Sequence, residues 1–120
     1  MMLVGDLVKW ILSNRRGRAF NGWSEEKIAI VVCKSIETGS LIYAVDDYKN
    51  FTGVFIFVKD VDTETAETGP LLTIKPGVLK QMAKHFYKEY PDWTLLAHSK
   101  KGGFVKDGNK FLRKLIKRKI

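Results

Sequence analysis

The sequence predicts an α+β domain, a mostly antiparallel central sheet flanked by helices, in the order α-α-β-β-β-α-β-(β)-α. Three observations carry this. Two stretches with helical spacing of apolar residues precede any strand signal. Short apolar runs rich in β-branched and aromatic residues follow. A strongly periodic helix is then set between two of those runs, so helices and sheet must pack as layers.

The first helix is expected over Met2–Ser13, where Leu3, Val4, Leu7, Val8, Ile11 and Leu12 recur on one face. The polar, glycine-punctuated NRRGRAFNGW that follows reads as a loop. Ser24 is a natural N-cap, and Glu25 and Glu26 complement the dipole of a second helix. Its expected buried stripe is Ile28, Val31, Val32 and Ile36, with Gly39 just past its end. Cys33, the single cysteine, is expected as a buried, inert thiol on this helix. Leu41–Val45 and Phe51–Val58 form a hairpin around the five-residue turn DDYKN. VDTETAETG is expected as an exposed connection, and Leu71–Ile74 as a short central strand. Pro76 suits the first position of a third helix, where its missing N–H costs nothing. Leu79, Met82, Ala83, Phe86, Tyr87 and Tyr90 keep one face of that helix, and Pro91 ends it. Trp93–Ser99 is a strand, Lys100–Gly103 a turn and Gly103–Lys106 an extended segment. A last helix, capped by Asp107 or Asn109, carries Phe111, Leu112, Leu115 and Ile116.

A chain of 120 residues fits one domain, with a helical region over 1–39 and the sheet-and-helix core over 40–120. No apolar run approaches the roughly 18 residues of a membrane span. The N-terminal apolar stretch carries an acid and lacks a basic leader, so it reads as an amphipathic helix. With one cysteine, these features fit a cytoplasmic, intracellular protein. The formal charge of +8 is unevenly spread: +3 over residues 1–20, −5 over 21–74 and +10 over 75–120. A positive C-terminal face raises the local concentration of anionic partners.

From about Leu41 onward, the run strand–strand–strand–helix–strand–helix resembles the core of the GNAT (N-acetyltransferase) superfamily. It looks closest to small GNAT-like proteins carried by phages, over about two-thirds of the chain and mainly in element order. The resemblance implies acetyl-CoA as cofactor and an amine as acceptor. It implies that the pyrophosphate sits on amides after the strand Leu71–Ile74, and that the strand Trp93–Ser99 splays away beside that strand. The family's phosphate loop runs Arg/Gln-x-x-Gly-x-Gly/Ala. Lys75-Pro76-Gly77-Val78-Leu79-Lys80 keeps one glycine and lacks the second. The family's tyrosine acid also has no match, because Phe104 and Phe111 carry no hydroxyl.

Four candidate sites stand beside plainer readings. At the third helix, Lys75 is a poor N-cap. The amides of Gly77, Val78 and Leu79, with Lys75 and Lys80, suit an anion, or else water satisfies them. His98, at a strand end, is the one general base that can be named, with Asp46, Asp47 or Asp107 as acids that could approach it. The alternative is a surface histidine. His85 reads as solvated, and two distant histidines with one cysteine make no metal site. The third candidate is a phosphate-tracking patch of Lys80, Lys84 and Lys88 with Lys100, Lys101, Lys106, Lys110, Arg113, Lys114, Lys117 and Arg118. Against it stands an ordinary solvated face. Asn14–Arg18 is a loop that grips a polyanion or a plain basic linker. The rival to an acetyltransferase is thus a non-enzymatic basic module for nucleic acid or an acidic protein surface, as in a viral accessory or virion-associated component.

Overall fold

The computed structural model describes residues 3–15, 19–98 and 104–105, with only the backbone at 97, 98, 104 and 105. The expected C-terminal helix and the turn at 100–103 lie outside the described residues. The described elements are α1 (Val4–Asn14), α2 (Glu25–Glu37), β1 (Leu41–Val45), β2 (Phe51–Asp60), β3 (Thr65–Thr73), α3 (Val78–Glu89), β4 (Thr94–His98) and β5 (Phe104–Val105). The fold is α+β, and its sheet is mixed. β1, β2 and β3 pair antiparallel in sequence order, and β4 runs parallel to β3. The two-residue β5 pairs antiparallel with the end of β4. The parallel pair follows from the crossover: a strand, a helix and a strand return the chain in the same direction.

Helices cover both faces. α3 packs on one, where Val78, Met82, Ala83 and Phe86 meet Ile42, Ala44, Phe55, Phe57, Ala66 and Leu95. α1 and α2 cover the other, where Leu7, Val8, Ile11, Ile28 and Val32 meet Val54, Ile56 and Leu72. β2 therefore faces a helical layer on each side, and Thr52–Phe57 is buried without alternation.

Local chemistry explains most boundaries. Ser24 Oγ accepts from the Lys27 amide, as an N-cap should. At the far end of α2, Gly39 has φ +68°, its amide donates to Ile36 O, and the Ser40 amide donates to Ser35 O. Those two bonds are a Schellman closure. The stripe of α2 differs from the expected one. Ile28, Val32 and Ser35 are buried, whereas Ile36 and Cys33 are exposed. The helix is rotated toward Ser35, whose hydroxyl is satisfied by Val31 O at 2.7 Å, so a polar side chain takes the buried position. Cys33 is displaced from the core by that rotation.

β3 is longer than Leu71–Ile74. It starts at Thr65, because Thr65–Thr68 continues the ladder with Phe57–Asp60 and buries Ala66. Only Val61–Glu64 remains a turn, in which Asp60 Oδ1 accepts from the amides of Asp62 and Thr63. The register of β2 and β3 shifts between Phe55 and Phe57, leaving Gly69–Pro70 as a bulge in β3. A bulge is where a central strand tolerates proline. α3 begins later than expected. Gly77, at φ +85°, is the N-cap, so Pro76 lies before the helix. A left-handed residue cannot be part of a helical turn, and Val78 becomes its first residue.

Candidate functional site

Three segments meet at the entrance to α3: the start of β2, the end of β3 and the turn 46–50. The Ile74 amide donates to Thr52 O at 3.1 Å, which carries β3 on toward the helix. Val78 then packs directly over Gly53 of β2. A Cβ at Gly53 would stand 2.5 Å from Val78 Cγ1 and 3.0 Å from Met82 Cε, so only glycine admits the helix at this height. Gly77 is exposed and has no side chain to cap the helix, and Gln81 N to Gly77 O is the first helical bond. The amides of Val78, Leu79 and Lys80 therefore begin α3 without a side-chain cap. α1 shares that lack at Leu3, but α3 is the helix that starts at the C-terminal end of a sheet strand.

Lys75, Gly77, Val78, Leu79 and Lys80, neighbours in the chain, all lie at this entrance with different surroundings. The Val78 side chain is core, so only its backbone faces the entrance. Lys75 Nζ lies 3.6 Å from Asp46 Oδ2. Asp46 Oδ1 accepts from the amides of Tyr48 and Asn50, both at 2.9 Å. The Asn50 amide foremost, then the Tyr48 amide and Lys75, hold the Asp46 carboxyl below its ordinary range, against a smaller opposing effect of desolvation. Asp46, one of the acids expected to be able to approach His98, is the counter-ion of Lys75, and the His98 side chain lies outside what the structure describes. The signals for this corner were the Asp46-x-x-x-Asn50 turn and a glycine inside a strand.

β4 leaves β3 early. Their ladder joins Thr65–Glu67 to Thr94–Leu96, and Thr68 Oγ1 donates to Leu96 O at 2.9 Å. Ala97 and His98 then pair with Val105 and Phe104. Continued by two residues, the β3–β4 register would bring His98 level with Gly69, at the bulge. From there β3 runs four residues to Thr73, about 13 Å at strand rise. Along this stretch β3 keeps its ladder to β2.

The basic candidates divide. Lys80, Lys84 and Lys88 are all exposed on α3, spaced by about 6 Å of helix rise. Lys100, Lys101, Lys106, Lys110, Arg113, Lys114, Lys117 and Arg118 lie outside the described residues, as does Asp107. In the loop after α1, Arg15 Nη1 donates to Phe20 O at 3.3 Å and Trp23 O at 2.7 Å, and Asn14 Nδ2 donates to Trp10 O. Arg15 thereby holds a loop that includes the buried Phe20 at φ +60°. It serves as a linker residue, while Arg16, Gly17 and Arg18 lie outside the described residues. His85 is exposed and 3.7 Å from Glu89 on the same helix. Among the described residues, no group of three or more His, Cys, Asp or Glu could hold a metal ion. No helix among them is long and apolar enough to cross a membrane.

No family model matches the chain, and neither curated proteins nor solved structures give a significant match.

Proposed function

We propose that this chain is a diverged GNAT-like acyl-CoA-binding protein whose reaction is transfer of an acetyl group to an amine. The observation that carries the reading is the short parallel ladder. Among the described residues β4 pairs with β3 for three residues and, on its other edge, with β5 for two, while β3 continues to a helix entrance without a side-chain cap. An extended ligand lies along the second half of β3 with its pyrophosphate on the amides of Val78 and Leu79. Gly77 keeps that approach clear of a side chain, and Lys75 and Lys80 supply positive charge. In the reaction, the amine nitrogen attacks the thioester carbonyl. The C–N bond forms, the C–S bond breaks, and the amine proton leaves through His98 to the departing thiolate.

The test is calorimetric titration with acetyl-CoA, beside a polynucleotide titration in the same buffer. Saturable acetyl-CoA binding that survives moderate salt supports the proposal, and its absence ends it. The basic-module reading keeps one specific support, the exposed row Lys80, Lys84 and Lys88. If duplex DNA lies on that row, changing all three to Gln lowers the salt slope by about 2.7, from roughly 0.9 per phosphate. Under the acetyl-CoA reading, Lys84→Gln with Lys88→Gln leaves binding nearly unchanged.

A further inference from the structure

We infer that the chain forms a two-fold symmetric dimer by pairing β1 with β1 of a second copy, extending the sheet across both subunits. This is independent of any catalytic role. Among the described residues β1 is the edge of the sheet, bonded to β2 alone. The Phe57 amide donates to Ser40 O at 3.0 Å, which fixes the alternation along the ladder. Ser40, Ile42 and Ala44 direct their backbone groups to β2, and Leu41, Tyr43 and Val45 direct theirs outward.

That edge lacks the usual protection against pairing. LIYAV contains no charge and no proline, and the register shift between Ala44 and Val45 puts its extra residue, Thr52, on β2 and not on the edge strand, so β1 itself stays a template for another strand. A second copy fits it better than an arbitrary strand, because the edge is complementary to itself. With Tyr43 on the two-fold axis, Tyr43 pairs with Tyr43 and Leu41 with Val45. Every outward N–H and C=O of the three residues then meets a partner, which no shifted register achieves. The side chains agree. Tyr43 and Val45 are 41% and 38% exposed, on the face where Leu41 packs with the α1–α2 cluster. Each would be covered by its opposite strand.

The flanking charges agree as well. Antiparallel pairing brings the turn Asp46–Asn50 of one copy beside Thr38–Ser40 of the other. The first turn carries exposed Asp47, and Lys59 Nζ lies close to Gly39 in the second. A cation therefore meets an acid at both ends.

The test is sedimentation equilibrium of the full chain and of two variants. The wild-type chain is expected to dimerise with a micromolar constant. Tyr43→Lys and Tyr43→Glu each set like charges across the axis and weaken it at least tenfold. Both keep the wild-type circular dichroism, because Tyr43 is not part of the buried core. An equimolar mixture of the two recovers a dimer, which only direct apposition at position 43 produces. A wild-type monomer at every concentration overturns the proposal and leaves the edge to a heterologous strand. So does a dimer indifferent to Tyr43→Lys, or variants that stay monomeric when mixed.

Discussion

Under the acetyl-CoA proposal, replacing Gly77 separates two jobs, a left-handed turn and an open helix entrance. Its φ of +85° is a left-handed conformation, and nothing lies within 4 Å of the position a Cβ would take. The cost of Gly77→Ala is therefore backbone strain without a clash, about 1–2 kcal/mol. For a domain of this size that lowers Tm by roughly 4–8 °C. Gly77→Asp carries the same strain, but its carboxylate accepts from the first-turn amides as an N-cap. Capping recovers about 1 kcal/mol, and the helix dipole adds a few tenths. Gly77→Asp should thus melt close to the wild-type protein. Its effect on ligand is the reverse. If two amides donate charge-assisted bonds to pyrophosphate at about 1.5 kcal/mol each, losing both weakens acetyl-CoA binding about 100-fold. Gly77→Ala leaves those donors in place and should cost a few-fold. The assay is calorimetry with acetyl-CoA on all three proteins, with melting curves as the folding control. Wild-type affinity in Gly77→Asp would refute the assignment of the pyrophosphate to this helix entrance. Equal losses in both variants would trace the effect to strain instead of occupied amides.

Other perturbations examine the same corner and the loop opposite. Gly53→Ala drives a methyl into Val78 and Met82, and overpacking of that kind costs about 1–3 kcal/mol, readable by urea titration. Because α3 must shift outward to relieve it, acetyl-CoA affinity should fall together with stability. Asp46→Asn releases Lys75 from its counter-ion and should tighten pyrophosphate binding by a few-fold at low salt, measured with inorganic pyrophosphate. The Asp46 carboxyl titrates below its unfolded value, so its contribution to stability is present above that unfolded value. It is lost as pH falls through the lowered one, and Asp46→Asn should flatten the acid side of a stability–pH profile. Arg15→Ala removes two bonds to carbonyls of the loop after α1 and should cost about 1 kcal/mol in urea, with polynucleotide affinity nearly unchanged.

Much of the fold was legible because its elements are bounded by side chains with local mechanisms. Ser24, Gly39 and Pro91 mark ends that short-range bonds enforce. The 3.6-residue period of α3 identified Met82, Ala83 and Phe86 as core. The misreadings arose where tertiary packing chose between local options. Val31, Ile36 and Cys33 make as apolar a stripe as Ile28 and Val32, yet α2 turns Ser35 inward, where Val31 O can satisfy it. Thr65–Thr68 reads as a polar connection, and it becomes strand because β2 presents four further ladder positions to it. Of the candidate site, an uncapped helix entrance was expected from Lys75 as a poor N-cap, and the structure puts the cap two residues later, at Gly77, which has no side chain to serve. The neutralisation of Lys75 by Asp46 was not legible, because a separation of 29 residues gives no sequence signal.

The exceptions to local rules fall along one side of the molecule. A glycine in the interior of β2, a Gly–Pro pair in the middle of β3 and a left-handed glycine before α3 each run against the element that contains them. Gly53 lets Val78 rest on the sheet, which brings the first turn of α3 down to the end of β3. Gly69 accommodates the Ile56 carbonyl, 2.9 Å from where its Cβ would be, and so permits the bulge. Pro70 has no N–H to give to either neighbour and contributes no donor to a ladder at that point. Among the described residues the parallel pairing covers Thr65–Glu67, before the bulge, and β5 pairs on the other edge of β4. Each irregularity weakens the sheet or helix locally, and the well-filled clusters on both faces of the sheet sustain them. Their common product is a strand half that leads to a helix entrance without a side-chain cap. This arrangement supports an extended anionic ligand more directly than the basic charge of the chain does, since charge alone does not distinguish CoA from nucleic acid.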